Sequence, residues 1–314
     1  MTASALFMTM AAITSTAIVP RTSGVLTISG RPHPYLIEGT GLTCIVTGPA
    51  PSYPPQFSDR AKQQVRFVYV DFKNSWNLES PHGVEAVTMD SLVDEIDQIR
   101  KGLALERVCV IGHSAPGLVA MEYALRHPEH TSHAVLIGVE PYFNQAWLKA
   151  RADFWERDAS PERKAALAKN AARFPDDLLR GLSPLDAFAL RYVRNGPKYF
   201  FDPTYDFYWA WAGKQLSGEM VTYFLNTILG DYDPRPRLAK NTVPMLLILG
   251  RYDYNIPYRE WDSARKNTPH LTSHVFQRSG HFPMIEEAGR FDDILIRWLG
   301  APQRQSPVAM KPLQ

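Results

Sequence analysis

The chain has little cysteine, little net charge and no long run of apolar sequence beyond its first residues. Cys44 and Cys109 are the only two cysteines among 314 residues. So low a count argues against a disulfide scaffold and makes no demand for an oxidising compartment. Each lies in an apolar run, "LTCIVT" and "RVCVIG", where a thiol is expected to act as a small buried hydrophobe. The formal net charge is +2, and no Lys/Arg cluster is interleaved with aromatics, which argues against a nucleic-acid partner. The N-terminal "MTASALFMTMAAITSTAIVP" is apolar but carries no Lys or Arg before Arg21. A secretory signal needs a positive region ahead of its apolar one. Residues 1–23 therefore read as an N-terminal extension, with a cytoplasmic location expected and export through a weak signal as the alternative. Nothing else approaches the roughly 20 apolar residues of a membrane span, so no membrane partner is expected.

What is present is ordinary globular composition, 45% hydrophobic and 21% charged, at a length that suits one large α/β domain with an insertion. Strand-like runs occur at 24–30, 34–39, 42–47 and 65–72, separated in part by the proline-rich "GPAPSYPP". In "TMDSLVDEIDQIRKGL" (88–103), Leu92, Val93, Ile96, Ile99 and Leu103 share one helical face. A strand "RVCVIG", a helix "APGLVAMEYALRHP" and a strand over 133–139 follow. Alternation of this kind predicts a mostly parallel sheet flanked by helices on both faces. From 141 to 238 the alternation stops and helix formers and aromatics take over. Ser160 is a candidate N-cap there, with Pro161 at the first helical position and Arg163 three residues on. Strands resume at 243–250 and 271–277, with a closing helix over 286–300. The expected division is a core of 24–140 and 239–300, a helical insertion of 141–238 after the sixth strand, and a tail of 301–314.

The chemistry concentrates in "VIGHSAPG". A buried strand that breaks at Gly112, turns on Ser114 and continues at once as a helix has the shape of a nucleophile elbow. The turn lifts the serine hydroxyl out at the carboxyl end of the sheet. It also aims the Ala115 N–H at the place where an oxyanion would develop. A serine needs a histidine as base, and the histidine needs a carboxylate to hold its tautomer. Asp253 in "LLILGRYDYNIP" and His281 in "FQRSGHFPMIEE" both follow strands, in the chain order Ser, acid, His. Glu140, at the end of "AVLIGVE", is the alternative acid. His113 is expected to pack beside the nucleophile. His127, His130 and His133 are three apart, but Pro128 interrupts the helix, and no metal site is expected.

From about residue 24 to 300 the chain resembles the α/β-hydrolase superfamily, its prolyl-iminopeptidase-like branch in particular. "GRYDYNIP" and "SGHFPMIEEAGRF" resemble that branch's acid and histidine segments, and the insertion after residue 140 falls where its cap domain lies. The resemblance implies an α/β-hydrolase fold with Ser114 as nucleophile, Asp253 as acid, His281 as base and no cofactor. Several positions depart from the branch. Pro116 replaces the usual glycine two residues after the nucleophile. "TGPAP" replaces the His-Gly-Gly-Pro-Gly motif, and Asp71-Phe72-Lys73-Asn74 replaces Asp-Gln-Arg-Gly. Pro49 has no N–H, so if it occupies the usual donor position, the second oxyanion donor must come from Gly48 or Ala50.

The expected function is a cofactor-free serine hydrolase acting on a small molecule or short peptide, peptidase, esterase or lactonase. A non-catalytic ligand-binding use of the fold is the alternative. Trp155, Tyr205 and Trp209 are candidate substrate contacts within the aromatic insertion. The sequence leaves the oligomeric state open.

Overall fold

The computed structural model describes residues 18–28, 30–70, 72, 83–211 and 217–301. Residues 1–17 of the expected extension, Asp71, Lys73, Asn74 and His82, and residues 302–314 of the tail lie outside the described residues.

Eight strands form one sheet: β1 (Arg21–Ile28), β2 (Arg31–Glu38), β3 (Leu42–Thr47), β4 (Val65–Val70), β5 (Val108–His113), β6 (Thr131–Ile137), β7 (Met245–Gly250) and β8 (Leu271–Phe276). Their order is β1-β2-β4-β3-β5-β6-β7-β8, with β1 and β2 antiparallel to their neighbours and every later pairing parallel. β1 begins at Arg21, inside the stretch read as an extension, because Arg21, Thr22 and Ser23 complete the antiparallel register with β2.

The central strands are apolar at most positions because both faces are covered. Ile45, Val68, Val110, Leu136 and Leu247 point to one side, and Val46, Phe67, Ile111, Val135 and Leu246 to the other. Cys44 and Cys109 are register partners on β3 and β5, both buried and both free thiols.

The longer helices are α1 (Met89–Gly102), α2 (Ala115–Arg126), α3 (Gln145–Asp158), α4 (Pro161–Arg173), α5 (Pro184–Arg194) and α6 (Ala288–Gly300). Thr88 caps α1 through a capping box with Ser91, and α1 buries Leu92, Val93, Ile96 and Ile99 on one face. Ser160 caps α4 by accepting the Arg163 N–H at 3.3 Å, with Pro161 in the first turn. Between β6 and β7 the described residues are helices, turns and loops, with one isolated bridge pairing Phe143 and Tyr232. No helix among the described residues is long and apolar enough to cross a membrane.

Candidate functional site

β5 lies between β3 and β6 in mid-sheet, and its end at His113 places Ser114 at the carboxyl edge. Ser114 has φ 59° and ψ −149°, a left-handed backbone that costs a non-glycine residue about 1–3 kcal/mol. The surroundings fix it there. The Ser114 N–H donates to the Ile137 carbonyl at 2.9 Å, and the Gly117 N–H donates to the Ser114 carbonyl at 2.7 Å. Pro116 falls in the first turn of α2, where a missing N–H leaves no bond unmade. The Thr47 hydroxyl donates to the Pro116 carbonyl at 2.9 Å and ties the end of β3 to the elbow.

Asp253 and His281 come together in the same region. His281 Nδ1 lies 2.6 Å from Asp253 Oδ2, and both side chains are fully buried. Asp253 Oδ1 accepts the N–H groups of Asn255 at 2.9 Å and Ile256 at 2.8 Å, so the turn after β7 fixes the carboxylate. This leaves Nδ1 as the donor and Nε2 as the free nitrogen of a neutral ring. His281 Nε2 is buried without a hydrogen-bond partner among the described residues. Glu286 braces the loop that carries His281. Its carboxylate accepts the Gly280 N–H at 2.8 Å and, from the segment after β6, the Phe201 N–H at 2.6 Å. Burial lifts the Glu286 carboxyl to about 7.

His113 packs its ring against His281, with centroids 4.6 Å apart, and its Nε2 donates to the His281 carbonyl at 2.9 Å. Its Nδ1 is therefore an acceptor, and the Tyr53 hydroxyl faces it at 3.5 Å, a weak contact. Burial, with His281 adding to it, drives the His113 pKa well below the usual range, and burial pushes the Tyr53 phenol well up. Both side chains are thus neutral at ordinary pH.

A cavity of about 270 Å³ opens onto Ser114, with Ala115, Pro49, Tyr53, Glu140 and Phe282 in its wall. Glu140 is buried, and its Oε2 has no hydrogen-bond partner among the described residues. Burial lifts its carboxyl to about 7. Glu140 neighbours His281, but the carboxylate hydrogen-bonded to His281 is that of Asp253. A second, more polar cavity of about 360 Å³ adjoins the first, and Arg151, Asn195, Tyr199 and Asn255 line both.

Of the candidate residues, Ser114, Ala115 and Glu140 line the first cavity, and Trp155 lines the second. Pro49 faces the first cavity, while Gly48 and Ala50 do not line it. Tyr205 and Trp209 line neither cavity; their rings pack on Phe200 and Phe207 instead. Tyr53, Arg151 and Lys198 enter the cavity walls unannounced by any motif. Asn255 and Glu286 have a sequence signal, their places in "GRYDYNIP" and "SGHFPMIEEAGRF". Among the described residues no three His, Cys, Asp or Glu side chains converge to hold a metal.

A mostly parallel sheet flanked by helices, with a serine on a strained turn at its centre, defines a hydrolase of the α/β class. The sequence model of the family described as alpha/beta hydrolase fold matches residues 55–288, and the chain belongs to that family. It is similar to the AB hydrolase superfamily protein YclE of Bacillus subtilis, 29% identical over 278 residues, spanning 88% of this chain and 98% of that protein. It is also similar to a proline iminopeptidase of Heyndrickxia coagulans, 28% identical over 215 residues, or 63% of this chain and 69% of that protein. Among solved structures, the proline iminopeptidase of Mycobacterium smegmatis superimposes with a TM-score of 0.66 at 21% identity, covering 88% of this chain and 97% of that one. At that identity the likeness is one of fold.

Proposed function

We propose that the chain is a serine hydrolase that cleaves an ester or amide through an acyl-enzyme, with Ser114 as nucleophile, His281 as base and Asp253 as its orienting acid. The observation that carries this reading is the buried 2.6 Å contact of Asp253 with His281 Nδ1, which leaves Nε2 free, at the same sheet edge as the strained Ser114.

In this mechanism His281 Nε2 takes the Ser114 proton as Oγ attacks the carbonyl carbon. The tetrahedral intermediate collapses, and the departing alcohol or amine takes that proton from Nε2. Water then attacks the acyl carbon after giving a proton to Nε2, the acid leaves, and the proton returns to Oγ. No hydrogen bond joins Ser114 Oγ to His281 among the described residues. Catalytic contacts commonly tighten only when substrate is bound. The Ala115 N–H faces the developing oxyanion. Pro49 stands in the cavity wall where a second N–H is expected, and the protonated Tyr53 hydroxyl in the same wall takes its place as donor. The helices between β6 and β7 act as the cap, since α3 and α5 contribute Trp147, Arg151 and Phe188 to the cavity over Ser114.

The test is release of chromophore from a prolyl arylamide and from a short-chain aryl ester, by wild type and by Ser114→Ala. Turnover of the arylamide, lost in the variant, supports an iminopeptidase-like enzyme. Turnover of the ester alone, lost in the variant, makes it an esterase or lactonase. Equal rates for wild type and variant on both substrates overturn the serine-hydrolase reading in favour of a binding role.

A further inference from the structure

The seam between the two cavities is cationic. Arg151 lines both, Lys198 lines the outer one, and Arg191 stands exposed at the rim of the inner one. Among the described residues, neither Arg151 nor Lys198 makes a salt bridge within 4.0 Å. Arg151 spends one N–H on Asn255 Oδ1 at 2.9 Å and lays its guanidinium over the Trp147 ring. Lys198 places its ammonium 5.0 Å from the centroid of Trp155. The one carboxylate in the outer cavity wall, Glu156, is engaged by Lys164 at 2.8 Å. In the inner wall Glu140 feels the Arg151 charge, but burial holds its carboxyl up at about 7.

These cations are held in place. Buried Arg163 donates to the carbonyls of Pro197 at 2.8 Å and Phe200 at 2.7 Å, on either side of Lys198. Burial and then Arg151 lower the Lys198 pKa, and Glu156 acts against them. Two part-buried cations that repel each other across a cavity favour an anion between them.

We propose that this seam is a carboxylate subsite, so that the preferred substrates are esters or amides bearing a carboxylate remote from the scissile bond. The substrate assignment rests on the serine-hydrolase reading; the binding site does not. Arg151 would supply a planar fork for the carboxylate and Lys198 a point charge. The apolar cavity over Ser114 would take the intervening chain.

The experiment is equilibrium dialysis of the full chain against labelled hexanoate and against labelled 1-hexanol. The two share a six-carbon chain, and only hexanoate carries a carboxylate. The expected result is one saturable hexanoate site per chain, at least about tenfold tighter than 1-hexanol. That advantage is expected to shrink as ionic strength rises. It should fall in Lys198→Gln and return in Lys198→Arg, with circular dichroism checking that each variant is folded. Equal binding of the two ligands, or a hexanoate preference undiminished in folded Lys198→Gln, overturns the subsite. A serine-hydrolase reading that failed would show itself separately, as hydrolysis indifferent to Ser114→Ala, and would leave the dialysis result standing.

Discussion

Gly112 and Gly117 meet across the turn at Ser114: a β-carbon on Gly112 would lie 2.4 Å from Gly117 Cα and 2.9 Å from Ala120 Cβ. Here the last turn of β5 and the first turn of α2 are in backbone contact. The contact uses the third residue after Ser114, so the second position is free to be Pro116. A β-carbon on Gly117 would in turn lie 2.3 Å from Val139 Cγ2.

Gly112→Ala should therefore be destabilising out of proportion to one methyl group. Overpacking costs about 1–3 kcal/mol or more where backbone must move. At this chain length that is a fall in Tm on the order of 5 °C, read by thermal melting. Activity should fall with it, because the strand and helix that set the Ser114 backbone separate. A Tm equal to that of wild type would show that the elbow has slack the geometry denies.

The parts legible in the sequence are those set by local pattern. The β5–Ser114–α2 turn announces itself by a buried strand, small flanking residues and an immediate helix. Asp253 and His281 announce themselves as polar residues just past strand ends, and the structure brings them to 2.6 Å. The cavity walls were not legible in this way. Arg151, Lys198 and Asn255 meet only because helices from distant stretches fold over the sheet edge, and no short-range pattern records that. Tyr205 and Trp209 have the composition of a ligand pocket, yet their rings pack beside Phe200 and Phe207. Aromatic content alone does not say which face of an insertion looks inward. The start of β1 is not legible in the sequence because Arg21, Thr22 and Ser23 are exposed edge residues whose strand signal is their pairing with β2.

Asp253→Asn tests the tautomer argument. The N–H groups of Asn255 and Ile256 both point at Oδ1, so an asparagine must keep its oxygen there and turn its amide NH₂ toward His281. Nδ1 then becomes an acceptor and the proton moves to Nε2, which can no longer take one from Ser114. The expected fall in kcat is about 10³–10⁴-fold, with the fold intact by circular dichroism. A loss of less than tenfold would remove Asp253 from the mechanism and return attention to Glu140.

Tyr53→Phe tests the second oxyanion donor. The substitution deletes one hydroxyl whose only hydrogen bond among the described residues is the weak one to His113. Loss of an oxyanion donor lowers kcat by roughly 10²–10³-fold with little change in KM. Steady-state kinetics on the better substrate of the ester and arylamide pair would read this. An unchanged kcat would pass the role to the backbone N–H of Gly48 or Ala50.

Glu140 makes a prediction about stability and pH. Burial raises its carboxyl from 4.5 to about 7. The folded protein thus holds a proton that the unfolded chain releases at lower pH. Stability from this group is full below about pH 4.5 and is lost as pH rises through 7. At about 1.4 kcal/mol per pH unit, the loss by pH 8 is on the order of 3 kcal/mol. Glu286 is raised to about 7 by burial as well and adds a slope of the same sign. Glu140→Gln cannot ionise, so it should keep only the Glu286 share. Urea unfolding of both proteins at pH 5 and pH 8 would show it. The variant should gain on wild type as pH rises and be the more stable of the two at pH 8. Parallel losses in wild type and variant would mean that a group outside the Ser114 cavity sets the pH dependence, and that Glu140 finds a partner once it is charged.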